Sequence, residues 1–405
     1  MRLHDINLST NPNLHQKSHN SSLPVEILHQ ILYTSDIATL TTLSTVNRTF
    51  QAVSEQVLYR NIKILPTQKT IRCLQTLAAR PSLAGLIRSY EIDDITKEGD
   101  ALPAFYKLLS RALHNMTRLT DLTILIEGRH SDILFGCPFN LRTLTSSLSW
   151  DTNFTKWMLE QPDITNAIFC GRYVVGCALE PTAITKLTRI SASPLILAAV
   201  VPGRPLEEVE VCLVHPGLFN QNLLSTTMKI LSFSTGPLHS LRVITNLGNS
   251  SQNILGALRT VSTTLSTLDS FFLHAVSGSI TSEILAGFEE VVSSFRSLSA
   301  ITILSKDTED ALHDMSTISG LAVKWRGACK TLRRVSFPNG TWVHNQRYGW
   351  LTLNDMERLL MEREKALQER EAKERALYEE QRALEDQGRR LETQIRSIGV
   401  DRDAL

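Results

Sequence analysis

The chain has 405 residues, 42% of them hydrophobic, which is enough for two or three domains and a sizeable core. A net charge of +1 gives it no overall attraction to nucleic acid or to an anionic membrane. The longest apolar run near mid-chain, 195–201, is bracketed by Pro194 and Pro202 and is far shorter than the roughly 20 residues of a membrane-spanning helix.

The first 22 residues are polar and lack the apolar stretch of a secretory signal, so they are expected to be a disordered tail on a cytoplasmic and/or nuclear protein. In that setting Cys73, Cys137, Cys170, Cys177, Cys212 and Cys329 are expected to be free thiols. The Asn-x-Ser/Thr triplets at Asn7, Asn20, Asn47, Asn115, Asn153, Asn249 and Asn339 are then chance products of composition.

Residues 23–64 read as three short helices. Pro24 suits a first helical position and Glu26 falls in the first turn. Ile27, Leu28, Ile31 and Leu32 form a wide apolar stripe. Ser35 or Asp36 can cap a second helix carrying Ile37, Leu40 and Leu43, closed by Val46. The third presents Phe50, Val53 and Val57, then Leu58. About forty residues bury little by themselves, so an apolar face beyond what the three helices cover would need a partner.

Leu23-Pro24-x-Glu26-Ile27-Leu28, then Val46-Asn47-Arg48-x-Phe50, then Leu58-Tyr59-Arg60-x-Ile62 resemble an F-box in order and spacing. The family often has Leu-Asp or Leu-Pro between its first two helices, where this chain has Thr34-Ser35-Asp36. The resemblance implies docking onto the Skp-type adaptor of a cullin–RING ubiquitin ligase through Leu23, Pro24, Ile27, Leu28, Ile31, Leu40 and Val46. The alternative is a three-helix cap with the same residues all internal.

Residues 65–350 repeat a fragment of leucine, two residues, an apolar residue, one residue and another apolar residue. It begins at Leu119, Leu141, Leu187, Leu206, Leu238, Leu265, Leu298 and Leu332. Alternating apolar residues turn one strand face inward, and stacked copies build a parallel sheet with helices behind it. Helices are expected over 70–79, 102–116, 251–262, 280–295 and 309–329, with Ser277-Gly278-Ser279 breaking the chain before the fourth. Spacings from about 22 to about 33 residues make the repeat degenerate, and an ordinary parallel α/β domain is the alternative. The stretch from Trp325 to Trp342 resembles the closing repeat of fungal F-box proteins with leucine-rich-repeat-like domains. Trp342, Tyr348 and Trp350 are then expected to cover the open end of the sheet.

From about 351 to 398, Glu, Arg, Lys, Ala, Leu and Gln dominate, with many opposite charges three or four apart, and predict one long helix followed by a tail over 399–405. A seven-residue register has one seam at Leu353, Leu360, Leu367, Glu374, Gln381, Gly388 and Ile395. The other runs through Met356, Arg363, Arg370, Leu377, Leu384, Leu391 and Ile398. Self-association over 353–398 and a solvated single helix both fit it.

No phosphate-binding loop, nucleophile elbow, zinc-protease helix or RING spacing occurs, and no basic stretch with interleaved aromatics points to nucleic acid. His215 and His274 are expected at strand ends, and Asp93-Asp94 and Glu207-Glu208 as solvated pairs. The expectation is a non-enzymatic adaptor without metal or cofactor. It is an α/β chain with an N-terminal F-box, a curved leucine-rich-repeat-like domain with a parallel sheet, and a long C-terminal helix.

Overall fold

A computed structural model describes residues 24–93, 103–126, 130–214, 221–247, 251–308 and 315–400. The expected tail over 1–22, Leu23, Asp94 and His215 lie outside them. The chain divides into two compact units, Met1–Ser149 and Trp150–Leu405, so the boundary falls inside the region expected as one domain over 65–350.

The first unit opens with α1 (Val25–Tyr33), α2 (Ile37–Leu43) and α3 (Arg48–Arg60). Pro24 stands one position outside α1, where its carbonyl accepts from the Ile27 and Leu28 N–H groups at 3.1 Å. Asp36 caps α2 and Asn47 caps α3, each accepting a backbone N–H three residues on. Leu28, Leu32, Leu40 and Val53 are the centre of the module, with Leu43, Phe50, Val57 and Leu58 against them. From α3 the chain enters β1 (Asn61–Ile62), then α4 (Thr67–Ala79), α5 (Pro81–Ala84), β2 (Ser89–Asp93), α6 (Pro103–Asn115), β3 (Asp121–Leu125) and β4 (Thr143–Ser146). The four strands are parallel and in sequence order.

The second unit begins at Trp150, whose indole N–H donates to the Cys177 carbonyl at 2.7 Å and whose ring meets Phe154 and Phe169. Its elements are α7 (Thr152–Met158), β5 (Asn166–Phe169), β6 (Arg189–Ala192), α8 (Pro194–Val200), β7 (Glu208–Leu213), α9 (Gln221–Leu231), β8 (Ser240–Asn246) and α10 (Ser251–Thr264). Then come β9 (Ser270–Ile280), α11 (Ser282–Ser293), β10 (Ala300–Thr308), α12 (Met315–Ala328) and β11 (Arg334–Phe337). Strands β5 to β11 are parallel and again in sequence order. Seven of the eight repeated fragments run onto strands; the one expected at Leu265 begins three residues early, because Leu268, Phe271 and Leu273 fill its buried places at β9.

Repetition is visible in the backbone as well as in the side chains. The carbonyl just before one strand accepts two N–H groups from the entry to the next. Thr188 receives Glu207 and Glu208, Glu207 receives His239 and Ser240, Asp269 receives Ser299 and Ala300, and Ser299 receives Arg333 and Arg334. Strand residues then alternate: Val209, Val211 and Leu213 are buried, while Glu208, Glu210 and Cys212 are not. The buried side pairs with helix residues, as Phe271 does with Phe288.

Ser277-Gly278-Ser279 does not break the chain. Strand β9 runs through it with a shift of register against β8, and α11 starts only at Ser282. Gly278 makes this possible at φ +81°, because a Cβ there would lie 1.9 Å from the Leu247 carbonyl oxygen.

After β11, Pro338 and Asn339 turn the chain into an antiparallel meander, β12 (Gly340–Asn345) and β13 (Gly349–Thr352). Trp342 is buried with its ring edge-on to Phe337, and Phe337 meets Trp325, so an aromatic column closes this end. Trp350 is half-buried beside His344, whereas Tyr348 is exposed in the β12–β13 turn with Arg347 over its ring, outside the expected cover. Directly after β13 comes α13 (Leu353–Val400). Thr352 and Asp355 cap it reciprocally: the Thr352 hydroxyl accepts from the Asp355 N–H at 3.1 Å, and the Asp355 carboxylate accepts from the Thr352 N–H at 3.2 Å. The helix passes through the tail expected at 399–405 as far as Val400.

Candidate partner-binding surfaces

Helix α1 carries two apolar rows one residue apart. A step of one residue turns a helix by about 100°, so the rows face different directions. Leu28 and Leu32 point into the module. Ile27 and Ile31, also four apart, are 41% and 51% exposed. Ile37 on α2 is 75% exposed and Val46 before α3 is 59% exposed. Pro24 is exposed at the start of the Ile27 row. The set implied by resemblance therefore divides. Pro24, Ile27, Ile31 and Val46 are available to a partner. Leu28 and Leu40, at 5% and 3% exposed, are core residues of the module itself. The sequence showed one broad stripe, and only the seating of α3 against Leu28 and Leu32 separates its halves.

The Asp36 cap is a titratable part of this surface. The Thr39 N–H at 2.8 Å and the Thr39 hydroxyl at 3.0 Å hold its carboxylate below the ordinary carboxylate range. A lowered native pKa means the stabilisation is present above the ordinary value of 3.8 and is lost as pH falls through the lower native value. Hydrogen exchange at the Thr39 amide is expected to accelerate over that window relative to the Phe50 amide, which Asn47 caps without a charge. Asp36→Asn should keep the cap and remove the pH dependence.

A second surface is the face of the second unit's sheet turned away from its buried residues. Register aligns Ile168, Ser191, Glu210, Arg242, Phe272, Thr302 and Ser336 across seven strands. The Ser191 hydroxyl donates to Glu210 at 2.6 Å, Arg242 pairs with Glu210 at 3.3 Å, and its guanidinium sits 4.3 Å from the centre of the Phe272 ring. This holds a cation, a carboxylate and an aromatic ring in fixed order, which suits recognition of a polar protein segment. His274 stands in the middle of β9, edge-on to Phe272, and not at a strand end. The repeated fragment is defined by its apolar positions, and this row is made of the residues between them.

At the far end of that sheet a cleft of about 410 Å³ is lined by Arg326, Lys330, Arg333 and His344, with hydroxyls from Ser297, Ser299 and Thr331. Partial burial, and then the nearby Arg326 charge, keep the His344 imidazole below its ordinary range, so it is neutral at pH 7. Burial raises the Cys73, Cys170 and Cys212 thiols and pushes Cys137 up to about 12, which keeps all four protonated. Among the described residues no group of three His, Cys, Asp or Glu side chains could hold a metal ion, and no helix is long and apolar enough to cross a membrane.

No family model matches the chain, and no curated protein matches its sequence.

Proposed function

We propose that this chain is a substrate receptor of a Skp–cullin–F-box type ubiquitin ligase, with residues 23–64 as its F-box. The supporting observation is the Ile27/Ile31 row, which lies exposed on a helix whose other apolar row is satisfied inside the module. Each isoleucine is already about half covered, so burying the rest against an adaptor is worth about 0.7–1.5 kcal/mol. The leucine-rich-repeat-like sheet then presents its open face, with Glu210, Arg242 and Phe272, to a protein target. Receptor action is positional: holding the target beside the ligase raises the effective concentration of its lysines.

The test is a pull-down of the full chain with the purified Skp-type adaptor. Wild type is expected to bind, and the Ile27→Asp, Ile31→Asp variant to lose at least about a hundredfold in affinity. Both substitutions lie on the exposed row, so the circular dichroism spectrum should not change. A wild-type chain that fails to bind the adaptor removes the ligase reading. The function is then that of a non-catalytic repeat scaffold acting through its C-terminal helix, whose apolar residues stand exposed along its length.

A further inference from the structure

The C-terminal helix carries an apolar row with no cover. Leu360, Leu367, Leu377, Leu384, Leu391 and Ile395 are all more than half exposed, at successive intervals of seven, ten, seven, seven and four residues. What could lie on that row is constrained by the residues that interrupt it: Arg363, Arg370, Glu374, Gln381 and Gly388.

A parallel, in-register pair would set every seam residue against its own copy. Arg363 would meet Arg363, Arg370 would meet Arg370 and Glu374 would meet Glu374, giving three like-charge contacts in the seam. Like charges desolvated face to face oppose association. Reversing one helix changes each of these contacts. Met356 then faces Ile395 of the second copy, Leu360 faces its Leu391, and Leu367 faces its Leu384. Arg363 faces Gly388, Arg370 faces Gln381 and Glu374 faces Leu377. The apolar residues near one end of the helix match those near the other. Except at Glu374, the interruptions meet each other too: the only glycine of this segment, with nothing within 4 Å of where its Cβ would be, stands opposite a long cation.

Carboxylates beside the seam give the two arginines partners in this orientation. Glu385 and Glu392 lie three residues before and four after Gly388, and so flank the place where Arg363 of the other copy arrives. Glu385 also lies beside the place where Arg370 arrives. On the opposite edge Lys373 faces Glu380. The reversed pairing does bring Glu364 toward Glu385 and Glu357 toward Glu392, and Arg363 and Arg370 lie between these carboxylates.

We propose that two copies of this chain associate through residues 356–395 as an antiparallel two-stranded coiled coil, with Arg363 of each copy bound between Glu385 and Glu392 of the other and Arg370 beside Glu385. The pairing extends over about 60 Å of helix and holds whether or not the N-terminal module binds an adaptor.

Sedimentation equilibrium of the full chain tests it. Wild type is expected at twice the chain mass. Arg363→Glu with Arg370→Glu sets carboxylate against carboxylate at both ends, and should raise the dimer dissociation constant at least about tenfold. Adding Glu385→Arg and Glu392→Arg should bring the dimer back, because the swapped charges meet again only when the helices run in opposite directions. The four-residue variant keeps the same substitutions at 363 and 370, so its recovery excludes loss of helix as the cause of the first effect. A monomeric wild type, a dimer indifferent to Arg363→Glu and Arg370→Glu, or a four-residue variant that stays monomeric would each overturn the proposal.

Discussion

Gly278→Ala is expected to destabilise the second unit by about 2–5 kcal/mol, as the sum of a left-handed backbone conformation forced on an L-residue and of overpacking. The position is φ +81° near the C-terminal end of β9, and its Cβ would overlap the backbone of Leu247 rather than a side chain that could swing away. Two hydrogen bonds fix the site: the Leu247 N–H donates to Ser277 at 2.8 Å, and the Ser305 hydroxyl donates to the Gly278 carbonyl at 3.0 Å. Relief of the overlap therefore has to separate β9 from β8 or β10. Gly176→Ala supplies the control. Its φ is +91° but nothing lies within 4 Å, so only the conformational part, about 1–2 kcal/mol, should be lost. Urea midpoints of the two variants, at unchanged m-value, give the steric part by difference. Equal losses would mean that the Leu247 contact is slack.

Arg204→Met is the second substitution with a large expected effect. The side chain is 1% exposed, and its guanidinium donates to the Ala183 carbonyl at 3.3 Å, the Pro202 carbonyl at 2.6 Å and the Glu180 carbonyl. It ties the segment before β6 to the turn before β7. The tied segment ends at Ile184, a buried β-branched residue at φ +42°, a conformation that persists only where its surroundings impose it. Methionine keeps the length and loses all three donors. Burial lowers the Arg204 pKa, a sign that the charge itself is costly in this place, so removing it returns part of the loss. The net is expected at about 2–4 kcal/mol, since a hydrogen bond from a charged group contributes about 1.5–3 kcal/mol. Lysine should rescue little, because one ammonium cannot reach carbonyls from 180, 183 and 202 together. The same urea titration reads both variants.

The repeat was legible in sequence wherever a leucine opened the fragment. Strands β2 and β5 were not, because Ile87 and Ile164 fill the leucine's buried place. A β-branched side chain does the same packing there. The turn expected at Ser277-Gly278-Ser279 failed for a related reason. Three small residues signal a break when read locally, but β8 and β10 on either side offer partners that keep the strand going. On α1 the pattern gave the stripe and not its division. Which of two adjacent rows faces inward depends on α3, nearly twenty residues away, and no local spacing encodes that. The polar face of the sheet was hidden more fully, since Glu210, Arg242 and Phe272 come together only through register between strands about thirty residues apart. The long helix was the easiest part, because its composition acts residue by residue and needs no tertiary contact.

That α13 starts at the residue after β13, with Thr352 as both the last strand residue and the cap, leaves no joint between sheet and helix. A disordered tether of 48 residues would hold its far end on average about 38 Å away, over a broad distribution. As a continuous helix the same residues set one distance, about 70 Å. Four residues inserted in the middle would add about 6 Å and rotate everything beyond by about 40°. The segment thus works as a ruler, and both the reach and the bearing of whatever attaches to its far end are written in its residue count.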